Sequence, residues 1–150
     1  MNQDLIDLLR GFADAHVEHL IVGAHALAAH GHVRATKDLD VWIRPTSENA
    51  ARAYRALAAF GAPLSDLTEA DLATPGTVFQ IGVAPIRIDI LTHIDGVEFE
   101  EAWAARVAAS FGPVATFVLS REHLIRNKRA SGRLQDLADI ERLERGGDDD

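Results

Sequence analysis

Apolar and polar positions alternate along the chain with two different periods. In DLIDLLRGFADAHVE, residues 4–18, Leu5, Ile6, Leu8, Leu9, Phe12 and Val17 recur at helical spacing and predict a helix with one buried face. HLIVG (19–23) follows as a short apolar strand ended by Gly23, and AHALAAHG (24–31) reads as two helical turns stopped by Gly31. DLDVWI (38–43) is a strand closed by Pro45. SENAARAYRALAAFG (47–61) is a helix that Thr46 or Ser47 can cap and Gly61 ends. TEAD (68–71) starts a further turn. TVFQIGV (77–83) and IRIDILTHI (86–94) are β-rich runs so close together that they predict an antiparallel pair. Asp95-Gly96 marks a turn, EFEEAWAARVAASF (98–111) reads as a helix, VATFVL (114–119) as a strand, and the rest to about Glu144 as two helices.

This order predicts an α+β fold: a small mixed β-sheet flanked by helices, with C-terminal helices. At 150 residues the chain is expected to form a single domain over 1–145 with a core that needs no covalent staples. Glycine-led GGDDD (146–150) reads as a disordered acidic tail. No cysteine is present, which removes disulfides and thiolate metal ligands. No segment reaches the ~18 apolar residues of a membrane span, so the expected setting is cytoplasmic. The net charge of −8 opposes non-specific grip on nucleic acid. One local exception is SREHLIRNKRASGR, which carries Arg121, Arg126, Lys128, Arg129 and Arg133 against Glu122 alone.

The charge that changes the picture lies inside an apolar run. Residues two apart on a strand share a face, so Asp38 and Asp40 point together while Leu39, Val41 and Ile43 point the other way. On the later strand, Ile86, Ile88 and Ile90 share one face, and Arg87, Asp89, Leu91 and His93 the other. If the two strands are neighbours, three carboxylates converge. Clustered acids repel one another unless a cation compensates them, and hard oxygen donors in that number suit Mg²⁺ or Mn²⁺. An Asp-x-Asp alone is weak, since 14 aspartates in 150 residues produce about one by chance. Its context adds weight: a strand ending in Gly23, a small-residue turn and a helix start form a place where a phosphate can approach backbone N–H groups.

Val22-Gly23-Ala24, then His30-Gly31, Arg34, Thr36 and Asp38-Leu39-Asp40, then Asp89 resemble the nucleotidyltransferase superfamily with the DNA polymerase β-like fold. The closer resemblance is to its AbiEii-type, toxin-like branch and related small bacterial nucleotidyltransferases. LIRNKRASGRLQDLADIERL resembles that branch's C-terminal helices. The resemblance implies that Asp38 and Asp40 bind the divalent metals, and that Asp89 completes the site or accepts the proton of the attacking hydroxyl. It also implies that Gly23, Ala24, Arg34 and Thr36 shape the nucleotide site and that Lys128, supported by Arg133, meets the phosphates. Ala24 departs from the usual Gly or Ser, so a hydroxyl contact is lost while a backbone N–H remains.

The expected activity is Mg²⁺-dependent transfer of NMP from an NTP to an acceptor. That acceptor is RNA or tRNA for a toxin–antitoxin component, a protein hydroxyl for a nucleotidylating enzyme, or a small molecule such as an aminoglycoside. The rival from another class is a catalytically weak, antitoxin-like module that binds a partner protein. Of the seven histidines, His25, His30 and His32 lie close together but lack zinc-ligand spacing, and a further role for His30 is to fix the loop carrying Arg34. Arg34 can touch phosphate or pair with Asp38. Trp42, on the face of Asp40, either stacks a base or belongs to the core.

Overall fold

The computed structural model describes residues 3–32, 38–82 and 86–148. Arg34 and Thr36, both expected at the nucleotide, lie outside them. Thirteen elements follow one another: α1 (Gln3–Asp14), β1 (His19–Val22), α2 (Gly23–Ala29), β2 (Asp38–Ile43), α3 (Ser47–Phe60), α4 (Glu69–Leu72), β3 (Val78–Ile81), β4 (Arg87–Leu91), α5 (Phe99–Ala104), β5 (Val107–Phe111), β6 (Val114–Val118), α6 (Arg121–Ser131) and α7 (Leu134–Asp148). The strands form one sheet in the order β3-β4-β2-β1-β6-β5. It is mixed: β2 runs parallel to β4 and β1 parallel to β6, while β1–β2, β3–β4 and β5–β6 are antiparallel.

The helical stripe of α1 buries Leu5, Ile6, Leu8, Leu9 and Phe12, and α1 packs on α3 and β6. The central strands carry the heaviest apolar load. Leu20, Ile21, Leu39, Val41, Ile43 and Ile90 are fully enclosed, which accounts for their β-branched and leucine-rich sequence. Asn49 ties the ends of the central strands β1 and β2 to α3: its amide oxygen accepts the Glu18 N–H at 2.7 Å, and its NH₂ donates to the carbonyls of Glu18 at 3.0 Å and Arg44 at 2.9 Å. Thr46 caps α3 by accepting the Asn49 N–H, and Gly61 closes it in the left-handed region. Thr68 opens α4 in a reciprocal capping box with Asp71.

One element departs from its sequence pattern. The helix expected over 98–111 ends at Ala104, and Val107–Phe111 forms the edge strand β5, paired along its whole length with β6. The alanines at 108 and 109 favour a helix, but Gly112-Pro113 turns the chain back and β6 offers backbone partners, so pairing overrides propensity. At the C-terminus α7 continues through Gly146 and Gly147 to Asp148, beyond the stop that the glycines suggest. No helix among the described residues is long and apolar enough to cross a membrane.

Candidate functional site

β2 and β4 are parallel neighbours, and their register sets Asp40 directly beside Asp89 and Asp38 beside Arg87. The three carboxylates of the sequence pattern therefore stand on one patch of sheet. Behind them Leu39, Val41, Ile88 and Ile90 are buried, so the same alternation that fills the core sets the acids together on the opposite face of the sheet. Asp89 is the most enclosed of the three, 7 % exposed. The Asp40 carboxyl is pushed up to about 6, chiefly by burial, then by the charge of Asp89 and a hydrogen bond with it, and by the charge of Asp38; Arg87 opposes the shift. Two acids this close resist ionising together.

Arg87 fills the space between them. Its Nε donates to Asp89 Oδ1 at 3.1 Å, and its terminal nitrogen donates to Asp38 Oδ2 at 3.3 Å and to Asp89 Oδ2 at 3.4 Å. The residue was legible in Ile-Arg-Ile-Asp as a neighbour of Asp89 on the outward face, yet register with Asp38 is a tertiary fact that the sequence does not carry. Among the described residues no group of three or more His, Asp or Glu side chains is arranged to hold a metal ion. The donor set nonetheless fits Mg²⁺ or Mn²⁺ in kind: oxygen-only ligands, crowded enough that burial and like charge raise Asp40, around a point where a monovalent guanidinium already serves as counter-ion.

Gly23 closes the site from β1's end. It has φ of +69°, and a Cβ placed on it would lie 2.3 Å from Asp40 Oδ2. Only glycine leaves room for that carboxylate at a backbone angle that other residues resist. Ala24 is buried in the first turn of α2. His25, one residue on, packs against the Phe111 ring at 5.5 Å. Burial lowers its basicity, with the Asp38 charge working the other way. His30 bonds the Leu119 carbonyl at 2.8 Å, which pins the end of α2 to the segment after β6.

The two C-terminal cations part company. Lys128 is buried, and its Nζ lies 3.0 Å from Asp139 Oδ2 and 3.5 Å from Asp136 Oδ1; it clamps α6 to α7. Arg133 is exposed and donates from Nε to Asp136 Oδ2 at 2.8 Å. Its guanidinium is held above the ordinary value mainly by that bond and the Asp136 charge, and also by the charge of Asp40. That influence sets Arg133 within electrostatic reach of the acid patch. Trp42 is 2 % exposed and meets Phe99 edge-to-face at 4.9 Å, so it is core and not a stacking platform. His19 is enclosed too, bonded to the Val17 carbonyl and to Thr116.

No known family profile matches the chain, and no curated protein matches it. Several solved structures share its fold, two of which define the likeness. The crystal structure of the lincosamide antibiotic adenylyltransferase LnuA, bound to lincomycin, aligns with a TM-score of 0.60 at 13 % identity over 96 % of this chain and 96 % of that one. A protein of Thermotoga maritima assigned as a nucleotidyltransferase aligns with a TM-score of 0.60 at 14 % identity over 97 % of this chain and 91 % of that one. The fold is that of nucleotidyltransferases: the mixed sheet flanked by helices expected from the sequence.

Proposed function

We propose that this chain is a nucleotidyltransferase that moves NMP from an NTP to an acceptor hydroxyl. The observation that carries the reading is the register of β2 against β4, which sets Asp38, Asp40 and Asp89 together on an outward face of the sheet. Asp38, Asp40 and Asp89 would hold Mg²⁺ or Mn²⁺. Bound there, the metal supplies neutralisation of charge on the attacking and leaving oxygens. Gly23 and Ala24 give the triphosphate a close approach to backbone N–H groups at the start of α2. Arg133, exposed, paired with Asp136 through Nε and sensitive to the charge of Asp40, would turn the remaining edge of its guanidinium to phosphate oxygens. Asp89 takes the proton of the acceptor hydroxyl as its oxygen bonds the α-phosphorus, the bond to the β-phosphate breaks, and pyrophosphate leaves.

A specific observation narrows the range of acceptors. In the basic stretch that would meet RNA, Arg121 donates to the Leu143 carbonyl, Arg126 pairs with Glu101, Arg129 with Glu144 and Arg133 with Asp136, and Lys128 is buried. Cations already paired offer few phosphate contacts, and RNA affinity rests on such contacts. This favours a small hydroxylated acceptor over RNA or tRNA, the acceptor that the toxin-like resemblance suggested. The likeness to an antibiotic adenylyltransferase agrees with that choice.

The test is label transfer from each α-³²P NTP with Mg²⁺ into cellular RNA, cell lysate protein and a panel of aminoglycosides and lincosamides, with Asp38→Asn as control. A labelled product lost in the mutant supports the transferase and names its acceptor class. Label in RNA or protein overturns the small-molecule reading. Absence of label in every mixture overturns the activity and returns the chain to the partner-binding class.

A further inference from the structure

We infer that Arg87 is an internal counter-ion that keeps the divalent cation out of the Asp38–Asp40–Asp89 patch until a nucleotide draws it away. The inference rests on the transferase reading and adds an order of binding to it. Arg87 makes three hydrogen bonds to two of the three acids, so its guanidinium occupies the oxygen atoms that a metal would need. A guanidinium does not deprotonate in a protein. It can yield its place only by moving, and while it remains, a dication entering the patch meets a fixed positive charge.

The placement allows movement. Arg87 is the first residue of β4, its side chain is about one-third exposed, and Asp38 opposite it is exposed to a similar degree. Swinging the side chain outward breaks no backbone ladder. A displaced guanidinium needs an anion, and the triphosphate that would accompany the metal offers paired oxygens to its planar fork. Free metal therefore competes with Arg87, whereas metal arriving with nucleotide is helped by it. Metal and nucleotide affinities become coupled through one side chain, and the coupling is reciprocal.

The experiment measures Mn²⁺ binding to the full chain by calorimetry, for wild type and Arg87→Met, with and without an NTP analogue that cannot be cleaved between the α- and β-phosphates. Circular dichroism establishes that both proteins are folded. Arg87→Met is expected to bind Mn²⁺ alone at least about tenfold more tightly than wild type, and to bind the analogue more weakly in the presence of Mn²⁺. If Arg87→Met does not fold, Arg87→Lys serves in its place and is expected to shift the same way by less, because it keeps the charge and loses the fork. Equal Mn²⁺ affinity in wild type and variant overturns the counter-ion role while leaving the transferase standing. Absence of Mn²⁺ binding in either protein, even with the analogue, overturns the transferase reading itself.

Discussion

Two clusters in this molecule gather acids around a cation, and they are built to opposite ends. Between α6 and α7, Asp136 and Asp139 enclose Lys128, with all three side chains buried. Burial works against the charge of Asp136, but hydrogen bonds from Arg133 and Ser131, with Lys128 nearby, outweigh it and hold its carboxyl below the usual value. Between β2 and β4, Asp38, Asp40 and Asp89 gather around Arg87 on a half-buried face whose outer members, Arg87 and Asp38, reach solvent. There burial and like charge win, and Asp40 rises to about 6. A cluster that lowers its acid in spite of burial, as the α6–α7 cluster does Asp136, is complete as folded. One that raises an acid lacks positive charge, and such under-compensated groups concentrate where function supplies the missing partner.

The comparison predicts its own failures. The largest effect is on activity: Asp38→Asn should cut nucleotidyl transfer by ~10²–10³-fold or more while circular dichroism and melting stay native. A full loss of folding would class Asp38 with the structural acids. On the other side, Lys128→Met takes the buried cation from two buried carboxylates and should cost about 3–5 kcal/mol in urea unfolding. A loss under about 1 kcal/mol would show that α6 and α7 do not depend on this pair. Smaller again is Gly23→Ala, which puts a Cβ against Asp40 Oδ2 at φ +69° and should destabilise by about 1–3 kcal/mol. It should also weaken transfer, because the carboxylate must shift to make room. Native stability and native activity together would mean that the approach of Gly23 to Asp40 is looser than the structure has it.

Much of this was legible in the sequence, for reasons that differ between elements. Asp38, Asp40 and Asp89 could be set on outward faces because strand alternation is local and the apolar partners Leu39, Val41, Ile88 and Ile90 flank them. The antiparallel β3–β4 pair followed from short spacing. Register between β2 and β4 was not legible, since a parallel pairing joins strands separated by α3, α4 and β3, and so the bridging role of Arg87 could not be read. Lys128 carries the same letter whether it meets a phosphate or two buried aspartates; only the packing of α7 decides. The strand β5 was hidden for the reverse reason, because its alanines favour a helix and its partner β6 lies across a turn.

The most direct test of the contrast is unfolding as a function of pH for wild type, Asp40→Asn and Asp136→Asn. Asp40 binds its proton more tightly folded than unfolded, about 6 against 3.8, so it favours the folded state at low pH and that contribution is lost as pH rises through this window. Asp136 is lowered, so its contribution is present at neutral pH and lost on acidification. At pH 8 without divalent metal, Asp40→Asn should therefore be more stable than wild type by on the order of 1–3 kcal/mol, and Asp136→Asn less stable. If Asp40→Asn is instead destabilised as Asp136→Asn is, the β2–β4 acids are a satisfied structural network, and the case for a cation-seeking site fails.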